Sequence, residues 1–258
     1  MAHLEDMTTR IDEIAPGIHR ISTHVAAGPP GGITHNQFLL VGEQSLLFST
    51  GMRSQFSAVH DAVATVIDPA RLRWISSGHA SRPDEYGSLG EWLALAPDAQ
   101  ATHGRTGCFL CLTDMASRPP RPLENGEVLD LGGLRVRWID TPHVPGPWEA
   151  GVMFEETTSV LLCGDLFSRS GPAEVTTTSD IVEAAIAHDK KMHGNALTPL
   201  TAPTLRRLAG LEPTMLALMH GPTFVGDGAA ALSSFADYFD AALSQATQPA
   251  SSRSASPM

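Results

Sequence analysis

Five imidazole and carboxylate side chains sit where strand-like apolar runs give out: His79, Asp84, His143, Asp165 and His220. Residues 72–77 lead through Gly78 to His79 and on to Arg82-Pro83-Asp84-Glu85, and residues 136–140 lead to Thr141-Pro142-His143. Residues 160–163 lead through Gly164 to Asp165, and residues 215–219 lead directly to His220-Gly221. Apolar runs of this length closed by Gly, Pro or Ser read as strands, and residues at strand ends are rigidly held while still meeting solvent. A single His or Asp after a strand is ordinarily a turn former or a surface group. An ordered set of them converging from several strand ends points instead to a metal site.

The order and context of these residues resemble the metallo-β-lactamase fold superfamily, and within it the flavodiiron and oxygen-binding diiron proteins. The resemblance spans residues 17–243. It rests on Asp84-Glu85-Tyr86-Gly87, Asp140-Thr141-Pro142-His143-Val144-Pro145, Glu155-Glu156-Thr157-Thr158, Leu161-Leu162-Cys163-Gly164-Asp165-Leu166-Phe167 and Met219-His220-Gly221. It implies an α/β fold, an αββα sandwich, with a two-metal site in which Asp165 bridges, His143 binds the first metal and His220 the second. The family's first motif, HxHxDH or HxExD(H/E), is altered here to His79-Ala80-Ser81-Arg82-Pro83-Asp84. Counted back from Asp84 without a gap, Ala80 and Arg82 fall on the first two ligand positions. Neither can ligate, since a guanidinium has no acceptor lone pair and stays protonated. One inserted residue restores His79 but leaves Ser81 or Arg82 at the second position, so the first metal lacks a ligand in either alignment.

With His79 turned inward, the resemblance implies a first metal held by His79, His143 and Asp165, and a second held by Asp84, Asp165 and His220 with Glu85 as a further donor. Asp84 and Glu85 are also the residues expected to be catalytic. Arg82 is expected to turn outward or to pair with an acid, because an unpaired guanidinium beside a divalent ion is repelled. Such an open, carboxylate-rich set favours iron, as one or two ions, with zinc or manganese as alternatives. Redox chemistry on dioxygen, nitric oxide or a small-molecule substrate is the leading expectation, the protein supplying orientation and electrostatics. Zinc-assisted hydrolysis of a thioester or lactone is the alternative, and a non-catalytic oxygen sensor is a third reading. Flavodiiron enzymes carry a flavodoxin-like domain beside the metal domain, for which the residues after His220 leave no room; a separate electron-transfer partner is therefore expected.

Composition narrows the remaining classes. A formal net charge of -11 argues against a nucleic-acid partner, whose phosphates draw on clustered Lys and Arg. The 258 residues are expected to form a single domain over residues 1–244, followed by a Ser-, Ala- and Pro-rich disordered tail at 245–258. No apolar run approaches the ~18 residues that span a bilayer, the acidic first residues lack a secretory pattern, and a cytoplasmic location is the default expectation. With three cysteines a disulfide framework is not expected, and Cys108-Phe109-Leu110-Cys111 reads as the start of a buried apolar helix rather than a redox motif. His35, His60, His103, His188 and His193 read as surface or packing residues, and Glu149 reads equally as a carboxylate placed to orient a ligand imidazole or as a solvated loop residue.

The elements that must position these residues alternate along the chain. Strands are expected at 17–21, 36–41 and 45–48, a helix after Ser54, further helices at 88–95 and 107–115, and a hairpin over 128–139 around Gly132-Gly133. Strands at 153–155, 160–163 and 215–219 and helices at 179–187, 204–211 and 229–243 complete the series. Strands interleaved with helices in this way fit the αββα sandwich.

Overall fold

Successive side chains of a strand point to opposite faces, so the short buried strands of this chain carry apolar groups on both sides. In β4 (Leu46–Phe48), Leu46 and Phe48 join one apolar cluster and Leu47 another; in β11 (Val160–Leu162), Val160 and Leu162 are opposed to Leu161 in the same way. Strands buried on both faces need cover on both. The computed structural model, which describes residues 7–27, 31–192 and 194–247, supplies it by stacking two sheets and flanking each with helices. The architecture is the expected αββα sandwich.

The first sheet runs in chain order: β1 (Met7–Ala15), β2 (Ile18–Val25), β3 (Ile33–Leu40), β4, β5 (Trp74–Ser76), β6 (Gln100–Gly104) and β7 (Arg121–Leu123). Pairing is antiparallel from β1 to β4 and parallel from β4 to β7. Parallel neighbours need crossovers. These are α1 (Phe56–Ala64), then α2 (Pro83–Tyr86) with α3 (Leu89–Leu95), then α4 (Arg105–Gly107), a π-helical turn at Cys108–Leu112 and α5 (Thr113–Met115).

The second sheet has the order β12 (Thr176–Thr177), β14 (Thr223–Val225), β13 (Met215–Ala217), β11, β10 (Gly151–Glu155), β9 (Arg135–Asp140), β8 (Val128–Asp130). Its outer face is covered by α6 (Val182–Met192), α7 (Thr201–Ala209) and α8 (Gly228–Thr247). Apolar residues therefore gather in three layers. Leu39, Leu47 and Ile75 lie under α1 and α3 with Val63 and Trp92. Phe38, Phe48, Trp138 and Leu162 fill the space between the sheets, and Leu161, Leu205, Leu232 and Phe235 pack beneath α7 and α8.

The structure departs from the sequence reading at several places, adding among others the unexpected strands β6, β7, β12 and β14. Strand β1 was not expected: its Thr, Arg, Asp and Glu side chains suit an edge strand that pairs with β2 alone and is only half-buried. The Cys108–Leu112 segment is not a buried helix start, because its π turn leaves Phe109 81% exposed while Cys108 is buried. Helix α8 extends to Thr247, so residues 245–247 of the expected tail are helical, and residues 248–258 lie outside the described part of the chain.

Trp138 joins the layers. Its fully buried indole lies 4.5 Å from the His103 ring of β6 and donates from Nε1 to Asp140 Oδ1 at 2.7 Å. A Cβ at Gly151 would lie 2.1 Å from Trp138 Cζ2, and one at Gly104 would lie 2.9 Å from Nε1. Glycine inside a strand marks such a close approach. Gly151→Ala is therefore expected to destabilise the protein by about 3 kcal/mol through overpacking. Gly90→Ala, at an exposed position of α3 with open space around it, should instead be neutral or stabilising by up to about 1 kcal/mol. Urea unfolding midpoints of the two variants check this, and equal midpoints would refute the assigned role of Gly151.

Candidate metal centre

The site lies at the carboxyl ends of β5, β11 and β13, where ligands of open α/β sheets gather. After β5, Pro83 takes the first helical position of α2, which suits its fixed φ and missing N–H, and sets Asp84 and Glu85 in the first turn. Thr50 holds that turn, donating to the Glu85 carbonyl from its backbone N (2.6 Å) and Oγ1 (2.9 Å). Asp165 follows Gly164, whose φ is +53°. A Cβ on Gly78 would stand 3.2 Å from Gly164 Cα, so the loops after β5 and β11 meet closely only because glycine occupies both positions.

His220 is placed by the first sheet. Asn36 Nδ2 donates to the carbonyls of Leu218 (2.7 Å) and Gly221 (2.8 Å), and the buried Arg20 Nη2 donates to Gly221 O at 3.1 Å. His220 Nδ1 donates to Thr34 O at 2.9 Å. That bond turns Nε2 toward the carboxylates, 3.3 Å from Asp84 Oδ2 and 3.2 Å from Asp165 Oδ1. Burial lowers the His220 pKa, but Asp165 and Asp84 override it and raise it to about 10. Burial likewise opposes ionisation of Asp84, yet His220 and then Arg82 hold its carboxyl well below the usual range.

Asp84, Asp165 and His220 each bring one donor atom within 4.8 Å of the others. Asp165 Oδ1 is buried and makes no hydrogen bond of good geometry, its near polar neighbour being His220 Nε2 at 3.2 Å, a state that a cation between the two would satisfy better. Two carboxylates and one imidazole nitrogen thus fit a single metal ion. A second group, His79, Glu85 and Asp165, is equally compact, but its His79 and Glu85 atoms are hydrogen-bonded to each other and to their neighbours. Glu85 is fully buried; its Oε2 accepts from Ser77 Oγ and from His79 N (2.9 Å), and its Oε1 meets His79 Nδ1. His79 Nε2 donates to Pro145 O at 2.7 Å. Burial lowers the His79 pKa, and Glu85 with help from Asp165 reverses this and lifts it to about 9. The two groups therefore differ in how far their side chains are engaged with one another.

Arg82 pairs with acids, as one of the two expected outcomes had it. Its Nε lies 3.3 Å from Asp84 Oδ1 and 3.3 Å from Asp165 Oδ2. Other expected roles are corrected. His143 is exposed and is not brought to the site: its N–H donates to Pro147 O and Val144 N–H to Thr141 O, a tight turn that directs the side chain outward at φ +67°. Glu85 joins His79 rather than the Asp84–His220 group, and is sealed from any substrate. Glu149 is buried and accepts from Ser81 Oγ at 2.6 Å instead of orienting an imidazole.

Among the remaining histidines, His35 packs edge-on against His220 at 5.2 Å and His103 is buried beside Tyr86 and Trp138. His188 is not merely a packing residue. It lines, with Arg82, Asp84, Asp165 and His220, a pocket of about 340 Å³ that also includes Phe167 and Phe235. His193 lies outside the described residues. Ala185, His188, Asp189 and Met192 all reach this pocket, and their i, i+3, i+4 spacing on α6 is the signal that could have found His188.

Two stacked sheets with helices outside, and an imidazole–carboxylate cluster gathered on the loops after β5, β11 and β13, define a domain of the metallo-β-lactamase fold. The model of the family described as ODP family beta lactamase matches residues 33–221. The chain belongs to that family.

Among its relatives is a putative diflavin flavoprotein A 1 of Nostoc sp., 29% identical over 204 residues, covering 76% of this chain and 34% of the relative. Rubredoxin-oxygen oxidoreductase of Megalodesulfovibrio gigas is 23% identical over 205 residues, covering 76% of this chain and 50% of that protein. The chain thus spans a third to a half of these curated relatives. Among solved structures, rubredoxin oxygen:oxidoreductase from Desulfovibrio gigas superimposes with a TM-score of 0.78 at 20% identity, over 90% of this chain and 62% of that one. The fragment 1–254 of putative diflavin flavoprotein A 5 from Nostoc sp. also gives 0.78, at 17% identity, over 94% and 99% of the two chains.

The geometry separates His220 from His143. His220→Ala is expected to weaken iron(II) binding by more than about 100-fold, beyond the loss typical of a residue that only orients a ligand, whereas His143→Ala should leave it within about twofold. Anaerobic titration of both variants measures this. Equal losses would mean that His143 reaches the metal.

Proposed function

We propose that this chain is a metal-dependent oxidoreductase domain that binds one iron ion through Asp84, Asp165 and His220 and admits dioxygen, nitric oxide or a comparably small molecule to the adjoining pocket. The observation that carries the reading is the buried Asp165 Oδ1, without a hydrogen bond of good geometry, beside His220 Nε2 and Asp84 at the base of that pocket. Two carboxylates with one imidazole favour iron or manganese over a closed zinc site. Iron, when bound, supplies the electron transfer that dioxygen or nitric oxide chemistry needs and that side chains lack.

The chain's own residues do the rest. Thr34 fixes the His220 ring with Nε2 facing the ion. Phe167, Phe235 and Ala185 give the pocket apolar walls, which limit water and favour a small neutral ligand. His188 presents an imidazole to the same space and is able to carry a proton there. Electrons come from a separate electron-transfer protein, in keeping with the pairing named in the rubredoxin-oxygen oxidoreductase relative.

The test is gas consumption by iron-loaded protein supplied with an artificial reductant. Uptake of dioxygen or nitric oxide above the rate of free iron is expected, and Asp165→Asn should reduce it at least about 100-fold by removing charge that offsets the cation. If iron-loaded protein consumes neither gas faster than iron in buffer, the redox reading fails.

A further inference from the structure

The two donor groups, His79–Glu85–Asp165 and Asp84–Asp165–His220, share Asp165 and so outline two adjacent positions for positive charge. A fixed positive charge already stands at the two acids, Asp84 and Asp165. The Arg82 guanidinium bridges Asp84 and Asp165 at 3.3 Å to each through Nε, and Nη2 adds a bond to Asp84 Oδ2 at 3.4 Å. His220 Nε2 approaches the same two carboxylates, at Asp84 Oδ2, which it shares with Arg82, and at Asp165 Oδ1, which Arg82 does not touch. The pair of acids is thus clasped on one side by a fixed cation and left on the other with Asp165 Oδ1, which makes no hydrogen bond of good geometry.

We propose that Arg82 is a built-in replacement for one of two metal ions, so that this chain takes a single divalent cation, on the His220 side of Asp84 and Asp165. A guanidinium is always charged, cannot coordinate, and forms directed bonds to two carboxylates at once. It therefore neutralises and spaces the acids as an ion would while excluding an ion from its own position. The inference rests on the reading of Asp84, Asp165 and His220 as metal ligands.

Metal capacity tests it without reference to turnover. Chelator-treated full-length protein is loaded anaerobically with excess iron(II), or separately manganese(II), desalted, and analysed for metal per chain. Wild type and Arg82→Lys are expected to retain one ion, and Arg82→Glu, which exchanges the fixed cation for a carboxylate donor, two. Two ions on wild type would overturn the replacement while leaving the metal reading intact, and none would overturn both. A folded Arg82→Glu protein that stays at one ion also overturns it. Should Arg82→Glu fail to fold, Arg82→Gln is read by titration: loss of the competing positive charge should tighten the single iron(II) site at least about tenfold, and unchanged or weaker binding is the opposing result.

Discussion

Two carboxylates held side by side repel one another, and Asp84 and Asp165, with donor atoms within 4.8 Å, carry that cost permanently. At about 4 Å and an effective dielectric near 20 the repulsion is roughly 4 kcal/mol, comparable to a large part of a domain's net stability. It is offset only if positive charge is delivered accurately, and much of the local construction does so. Arg82 arrives from the same short loop as Asp84, so their pairing is local. His220 arrives from the far sheet, and its position depends on Asn36, Arg20 and Thr34, all on strands of the near sheet. The two sheets are held in register at the site by side-chain bonds from one to the loop carbonyls of the other.

Much of this was legible in the chain. The strand-end positions of His79, Asp84, Asp165 and His220 followed from apolar runs closed by glycine or polar residues, and the structure gathers all four. The hairpin around Gly132-Gly133 was equally plain, since both glycines adopt positive φ there. His143 has the same kind of sequence context, yet the Pro147 carbonyl captures its backbone N–H and turns it out. Such a capture depends on the course of a whole loop and leaves no mark on residue order. Strand β1 was hidden for a different reason: a half-exposed edge strand carries Thr, Arg, Asp and Glu, whose pattern looks like a polar loop until a neighbour is known.

Arg82 shows the limit most clearly. Residue type alone established that a guanidinium could not ligate, and so the position read as a loss. Type does not say where the charged end comes to rest. A side chain with that reach could have pointed into solvent, and only the location of Asp165, 83 positions further along the chain, reveals that it closes a pair of acids. Long-range electrostatic partners are the part of a site that sequence order conceals, because their interaction is a property of the packed loops and not of either loop.

The wall of the pocket comes from a different source than its floor. Asp84, Asp165 and His220 stand on loops anchored by backbone hydrogen bonds between the sheets, while Ala185, His188, Asp189 and Met192 stand on α6, an outer helix that touches α8. Exchanging Ala185 or Met192 for a larger or smaller side chain alters the shape and polarity of the cavity and leaves the anchoring loops untouched. The buried cluster and the cavity wall are in this way encoded on separable stretches of chain, so descendants of this protein could change the shape of the cavity without rebuilding the cluster at its base.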